Sequence, residues 1–319
     1  MIVRWGLDEL PGLLAELGIE RPFLVASPRW SPPVDVAGTW SEVPSHRIPD
    51  AAVAAGDADG LLALGGGSAI DLAKAITVET GLPLVSVPTT YSGAEWTPSF
   101  GIRDHGKLMK GGGSGANLAG IVYEPKLTLD LPVPETVGTS LNALAHAAEA
   151  LYVQGRNPEG DREALAGAAL ISGWLPRVVE SPSDLEARRK LLEGAMHSGA
   201  ALASAGLGLG HAMAQALGGR YGHPHGAMNA LALPAALRFN EPVAAAEIAR
   251  FGEAMGTDDP VGRVVELARL GGYERLRDFG VPEEELEALA NAAAGRAGAR
   301  MNPRPTSPDD VAELLRSIW

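Results

Sequence analysis

The sequence contains no cysteine. That excludes disulfides, thiolate metal sites and cysteine nucleophiles, and the chain is read as cytoplasmic. Basic charge is scarce: 26 Lys and Arg stand against 39 Asp and Glu, a net charge of −13. Nucleic-acid binding needs Lys and Arg clustered on one face, so no nucleic-acid partner is expected. Long apolar runs are missing as well. The start, MIVRWGLDEL, has no leader-type apolar stretch, and no 18 uncharged apolar residues follow one another. Neither a secretory leader nor a membrane span is expected. What remains is an ordinary globular composition, 46% hydrophobic over 319 residues, long enough for about two domains.

The first part alternates apolar runs, Gly- or Pro-rich turns and helical periodicity. LDELPGLLAELG (7–18) has helical spacing and ends on Gly. PFLVA (22–26), LLAL (61–64) and LVSV (84–87) read as buried strands, and AIDLAKAITVET (69–80) as a helix. Residues 99–123 read as a hairpin excursion with a returning strand, and 127–131 (LTLDL) as a last strand. This alternation predicts an α/β domain, a parallel sheet with crossover helices. After Pro134 the pattern is helical throughout. The predicted division is 1–133, a dinucleotide-binding α/β domain, and 134–319, an all-helical catalytic domain.

GGGSAIDLAK (65–74) lies between a strand and a helix. Gly65, Gly66 and Gly67 let a backbone approach an anion closely. Ser68 opens a helix whose unpaired N–H groups and dipole favour phosphate. A plain strand-to-helix turn explains the glycines almost as well. Thr89, Thr90, Ser92 and Thr97 follow the next strand, and in an open parallel sheet both loops share the carboxyl edge where ligands bind. Together with Asp71 they are assigned to a dinucleotide. Ser27 and Arg29 end the first strand on that edge. An acid there would bind a ribose diol and repel a 2′-phosphate, so Ser27 beside Arg29 admits NADPH as well as NADH.

The stretch from Gly206 to Pro234, GLGLGHAMAQALGGRYGHPHGAMNALALP, holds three of the seven histidines in a Gly, Ala and Leu frame. Buried imidazoles need partners, because burying an unpaired polar group costs a few kcal/mol. Asn142 and His146, four apart on a predicted helix, share one face. With His211 and His225 they make a set that can converge on a substrate or a divalent metal. A lone buried His is more often structural; three with an i,i+4 Asn favour a site. His223, in the turn, carries no such argument, and His46, His105 and His197 carry no motif.

Four segments together resemble the iron-containing (group III) alcohol dehydrogenases, and most of all their maleylacetate reductase branch. They are FLVASPRW, LLALGGGSAIDLAKAI, VPTTYSGAEWTPSFGI, and the pair SLNALAHAAEALY with GLGLGHAMAQALGGRYGHPHGAMNALALP. The resemblance implies a dehydroquinate synthase-like architecture, an α/β nucleotide domain followed by a helical one, with the active site in the cleft between them. It implies NADH or NADPH as cofactor, with Lys107 or Lys110 near its ribose. Metal-dependent members of that family bind Fe²⁺ or Zn²⁺ through an Asp and three His. The matching positions here are Asn142, His146, His211 and His225. Asn in place of Asp is also found in maleylacetate reductases, which implies catalysis without metal. The family often has a His four residues after the position of His211; here it is Gln215.

The leading expectation is NAD(P)H-dependent reduction of maleylacetate, or a similar unsaturated oxo-acid, to 3-oxoadipate, a step of aromatic-compound degradation. Asn142, His146, His211 and His225 are its catalytic set, and a homodimer is implied. The alternative is a metal-dependent alcohol or aldehyde dehydrogenase holding Fe²⁺ or Zn²⁺ on the same residues. A third reading is a non-catalytic nucleotide-binding relative. A clamp for a dicarboxylate is sought in Arg103 or Arg156.

Overall fold

The computed structural model describes residues 1–319, which form two compact units. The first takes Met1–Thr90 and Ala94–Asp130; the second takes Tyr91–Gly93 and Leu131–Trp319. The chain therefore passes from unit to unit at 130/131, with an earlier three-residue excursion. The division expected from the residues lies three positions later, at 133/134.

The first unit is built on six parallel strands. They are β1 (Ile2–Trp5), β2 (Pro22–Val25), β3 (Gly38–Trp40), β4 (Gly60–Gly65), β5 (Leu84–Pro88) and β8 (Leu118–Tyr123), in the order β1-β8-β5-β4-β2-β3. A separate antiparallel hairpin joins β6 (Phe100–Arg103) to β7 (Met109–Gly113). Strand β4 shows why the apolar runs are continuous. Leu61 and Ala63 join a cluster with Ile70, Ala73 and Ile76 of α3 (Gly67–Thr80) and Ala51 of α2 (Ile48–Ala55). Leu62 and Leu64 join another with Leu10, Leu13 and Leu14 of α1 (Leu10–Glu16). Strands covered on both faces need apolar residues at every position. Burial of each large side chain contributes about 1.5–3 kcal/mol. Because β2, β4 and β5 pair in parallel, their carboxyl ends open on one edge.

Two strands escape the sequence pattern, and one expected strand is absent. β1 and β3 are short, only partly buried edge strands, too brief for a period-2 signal. LTLDL does not add a strand. Pro125 starts a 3-10 turn over Pro125–Thr128, with the Glu124 side chain accepting the Lys126 N–H. The sheet edge beside β8 is already taken by β1.

The second unit is helical. Its principal helices are α4 (Val133–Ala150), α5 (Pro158–Glu180), α6 (Leu185–Ala205), α7 (Leu209–Tyr221), α8 (His225–Met255) and α9 (Pro260–Arg269). Shorter ones follow: α10 (Leu286–Ala294), α11 (Ala297–Met301) and α12 (Pro308–Ser317). Helix α8 is two helical segments joined across a kink at Ala244, whose φ and ψ are not helical, just after Pro242, as a proline inside a helix kinks it. Ser307 caps α12 in a capping box with Asp310. At α6 the cap is Asp184, which accepts from Glu186 and Ala187 N–H. No helix is long and apolar enough to cross a membrane.

Candidate active site

In the helical unit, α4 presents Asn142, His146 and Glu149 at i, i+4 and i+7, one helical face, and all three are buried. Glycines bring the other helices onto that face. A Cβ at Gly226 would lie 2.4 Å from the Gly138 carbonyl, so the start of α8 rests on the α4 backbone. A Cβ at Gly208 or Gly210 would come within about 3 Å of the Glu149 carboxylate. The GLGLG run before His211 is therefore a cradle for a carboxylate. Gly93, at φ +70°, brings the Tyr91–Gly93 segment against His146, where its Cβ would be 3.5 Å from Nδ1.

Three imidazoles converge here. His146 and His211 stack with ring centroids 4.6 Å apart and planes 14° from parallel, and His225 lies 5.9 Å from His211. Each is differently committed. His211 Nδ1 lies 2.7 Å from Glu149 Oε2, and Glu149 also accepts the Gly208 N–H at 2.6 Å and the His211 N–H at 3.1 Å. A carboxylate with those donors takes the Nδ1–H of His211, which leaves Nε2 as the free ring nitrogen. That Nε2 is buried and has no protein partner. Burial, then the neighbouring His211 and His225, hold His146 well below the usual imidazole range, so it is neutral near pH 7. His225 Nε2 lies 3.1 Å from Asn229 Nδ2. An amide N–H donates there, so His225 carries its proton on Nδ1.

Asn142 is equally occupied. Its Nδ2 donates to the Ser92 carbonyl at 2.8 Å, and its Oδ1 accepts from Asn229 Nδ2 at 2.7 Å. Two of the four donors that a divalent metal would use are already engaged. Both the Asn142 oxygen and the His225 Nε2 lone pair face an amide N–H, the positive end of a dipole, and no acidic side chain joins the imidazoles except Glu149, which is bound to backbone N–H groups.

The first unit carries the anion-binding features. Gly66 lies against Thr90, with a Cβ there 2.9 Å from the threonine methyl. The N–H groups of Gly67 and Ser68, in the first turn of α3, have no intrahelical acceptor. Thr89 Oγ1 is buried without a partner on the same strand end. A pyrophosphate fits this cradle. Ser27 lines a groove at the end of β2 together with Trp30 and Asp35. Arg29 is exposed and lies over the Trp30 ring.

Against known proteins, residues 4–119 match the family described as iron-containing alcohol dehydrogenase, and residues 136–319 its C-terminal part. The chain belongs to the iron-containing alcohol dehydrogenase family. A maleylacetate reductase of Burkholderia cepacia is 38% identical over 263 residues, covering 82% of this chain and 74% of that protein. One from Pseudomonas knackmussii is 35% identical over 98% of this chain and 93% of its own. The crystal structure of maleylacetate reductase from Agrobacterium tumefaciens superposes with a TM-score of 0.90 at 29% identity, covering 100% of this chain and 95% of that one. The protein is an NAD(P)-dependent oxidoreductase with the dehydroquinate synthase-like architecture of its family.

Within this family member, the sequence-selected residues fall into separate groups. Asn142, His146, His211 and His225 come together in the helical unit, with Ser92 beside them. Gly65, Gly66, Gly67, Ser68, Thr89 and Thr90 lie together in the α/β unit. Asp71 is engaged elsewhere: it pairs with Lys74 at 3.1 Å and accepts the Gly101 N–H, bracing the β6 strand. Thr97 is turned to the Ser99 carbonyl. Lys107 sits exposed at the hairpin tip with φ 65°, and Lys110 pairs with Asp104. Arg156 is held by Asp161 and Glu247, and Arg103 donates to the Lys107 carbonyl. His223 packs among Tyr221 and Phe279, apart from the cluster.

Two functional candidates, Glu149 and Asn229, were not found from sequence. Both had a signal: Glu149 continues the Asn142/His146 face by one turn, and Asn229 follows His225 by four residues.

Proposed function

We propose that this enzyme reduces the carbon–carbon double bond of maleylacetate, or of a similar unsaturated oxo-acid, with NADH or NADPH and without a metal ion. The observation that carries this reading is the pair of hydrogen bonds that the Asn229 amide donates to Asn142 and His225. They engage the groups a metal would need, while Glu149 leaves His211 with one free, buried nitrogen. The names of the related maleylacetate reductases support the substrate class.

NAD(P)H, held at Gly65–Ser68 and Thr89, would supply the hydride. It adds to C2 of the enone, the C2=C3 electron pair moves to C3–C4, and the C4 carbonyl takes up the negative charge. Glu149 stabilises positive charge on His211, whose Nε2–H then gives its proton to C3. One hydride and one proton are added, giving the saturated 3-oxoadipate skeleton, and His211 is reprotonated from solvent. His146 stays neutral and stacks on His211, shielding it. Asn229 holds His225 in the Nδ1–H form, a donor for the substrate oxygen. Oxidation of NADH and NADPH with maleylacetate, before and after chelation, tests the reading; 3-oxoadipate is the expected product. Activity that vanishes on chelation and returns with Fe²⁺ or Zn²⁺ would replace it by the metal-dependent alternative.

A further inference from the structure

A dicarboxylate substrate needs a cation, and the imidazole cluster contains none that is fixed. The arginines considered from sequence are engaged elsewhere, Arg156 with two carboxylates and Arg103 with a backbone carbonyl. Arg296 is different. It is half-buried, its Nε is buried without a partner, and its Nη1 reaches Gln215 Oε1 only at a long 3.5 Å. Burial draws its pKa down, and no carboxylate acts to raise it again. Arginines withdrawn from water are ordinarily paired.

Its position is fixed relative to His211. Gln215 follows His211 by four residues on α7, so the two side chains share a face about 6 Å apart along the axis. Arg296 caps α11, and a Cβ at Gly298 of that helix would lie 2.2 Å from the Gly208 carbonyl and 3.5 Å from Ala212 Cβ. The helix bearing Arg296 is thus seated on the same first turn of α7 that holds Glu149.

We propose that Arg296 and Gln215 form the subsite for a substrate carboxylate. The guanidinium offers Nε and Nη donors, and the Gln215 amide adds one N–H while its oxygen orients the guanidinium. A histidine at position 215 would offer no such oxygen. The assignment rests on the reductase reading of the His211 site and names the group that selects its anionic substrates.

Three enones separate the charges: maleylacetate with two carboxylates, 4-oxopent-2-enoate with one, and pent-3-en-2-one with none. In Arg296→Met, the ratio of kcat/KM for maleylacetate to that for pent-3-en-2-one falls ~10- to 100-fold, the range for lost charged hydrogen bonds. The loss sits in KM, and Arg296→Lys recovers part of it. An unchanged ratio would overturn the subsite. Adipate, which cannot be reduced, gives a binding arm by calorimetry: its Kd rises at least 10-fold in Arg296→Met. If wild type binds adipate through Arg296 but reduces none of the enones, the reductase reading fails and the subsite stands. If adipate binds both proteins equally, or neither, the subsite fails whatever the turnover.

Discussion

Glu149 Oε2 lies 2.7 Å from His211 Nδ1, and both side chains are closed off from solvent. The pair sits at the amino end of α7, where the Gly208 and His211 N–H groups also point at the carboxylate. A buried charge is tolerated there because backbone donors and the helix dipole accompany it.

Replacing that carboxylate by an amide tests its role. Glu149→Gln keeps the size and an oxygen for the backbone N–H groups but removes the charge that supports protonated His211. The expected result is a kcat lower by ~10²-fold, in the range of general acid catalysis, with KM little changed. An unchanged kcat would make Glu149 a packing residue.

Asn142→Asp puts a carboxylate among three imidazoles. It loses the N–H that Asn142 donates to the Ser92 carbonyl, and creates an Asp with three His as a donor set. The variant is expected to acquire about one Zn²⁺ or Fe²⁺ per chain, measured by elemental analysis after dialysis, and to lose maleylacetate reduction. Failure to bind metal would show that the site rejects cations for reasons other than Asn142.

His146 gives the pH dependence of stability. Its folded pKa is depressed by burial and by His211 and His225, while the unfolded chain titrates near 6.5. Below about pH 6.5 the unfolded state binds a proton that the folded state refuses. Stability is therefore full above that pH and falls as pH drops, by at most ~1.4 kcal/mol per pH unit from this one group. His146→Gln should flatten that part of the curve, read as the denaturant midpoint between pH 7.5 and 5. An identical slope in both proteins would contradict it.

Asp35 offers a test of where the coenzyme ribose binds. No acid ends β2, but Asp35 lines the same groove as Ser27. Its charge disfavours a 2′-phosphate. Asp35→Asn is expected to raise the NADPH to NADH ratio of kcat/KM several-fold, and an unchanged ratio would remove Asp35 from that role.

Much of this was legible in the residues, for reasons the helices and strands make plain. β4 and β5 are covered on both faces, so their apolar runs stood out, and the glycines from Gly65 to Gly67 marked the turn into α3. The 127–131 run misled because apolar alternation cannot show that β1 already fills the adjoining sheet edge. Asn142, His146, His211 and His225 were readable as polar residues in apolar helices. Their hydrogen-bond partners were not: Glu149 and Asn229 looked like ordinary helix residues until tertiary packing set them against His211 and Asn142. Arg296 is hardest of all, since its meaning lies in having no carboxylate nearby, which spacing cannot reveal.

The most direct test takes one sample of purified enzyme and measures its metal content and its maleylacetate reduction together. The account predicts 3-oxoadipate formed with stoichiometric NAD(P)H oxidation in protein carrying far less than one metal ion per chain, at a rate that chelation leaves unchanged. A rate that rises and falls in proportion to bound Fe²⁺ or Zn²⁺ would contradict it.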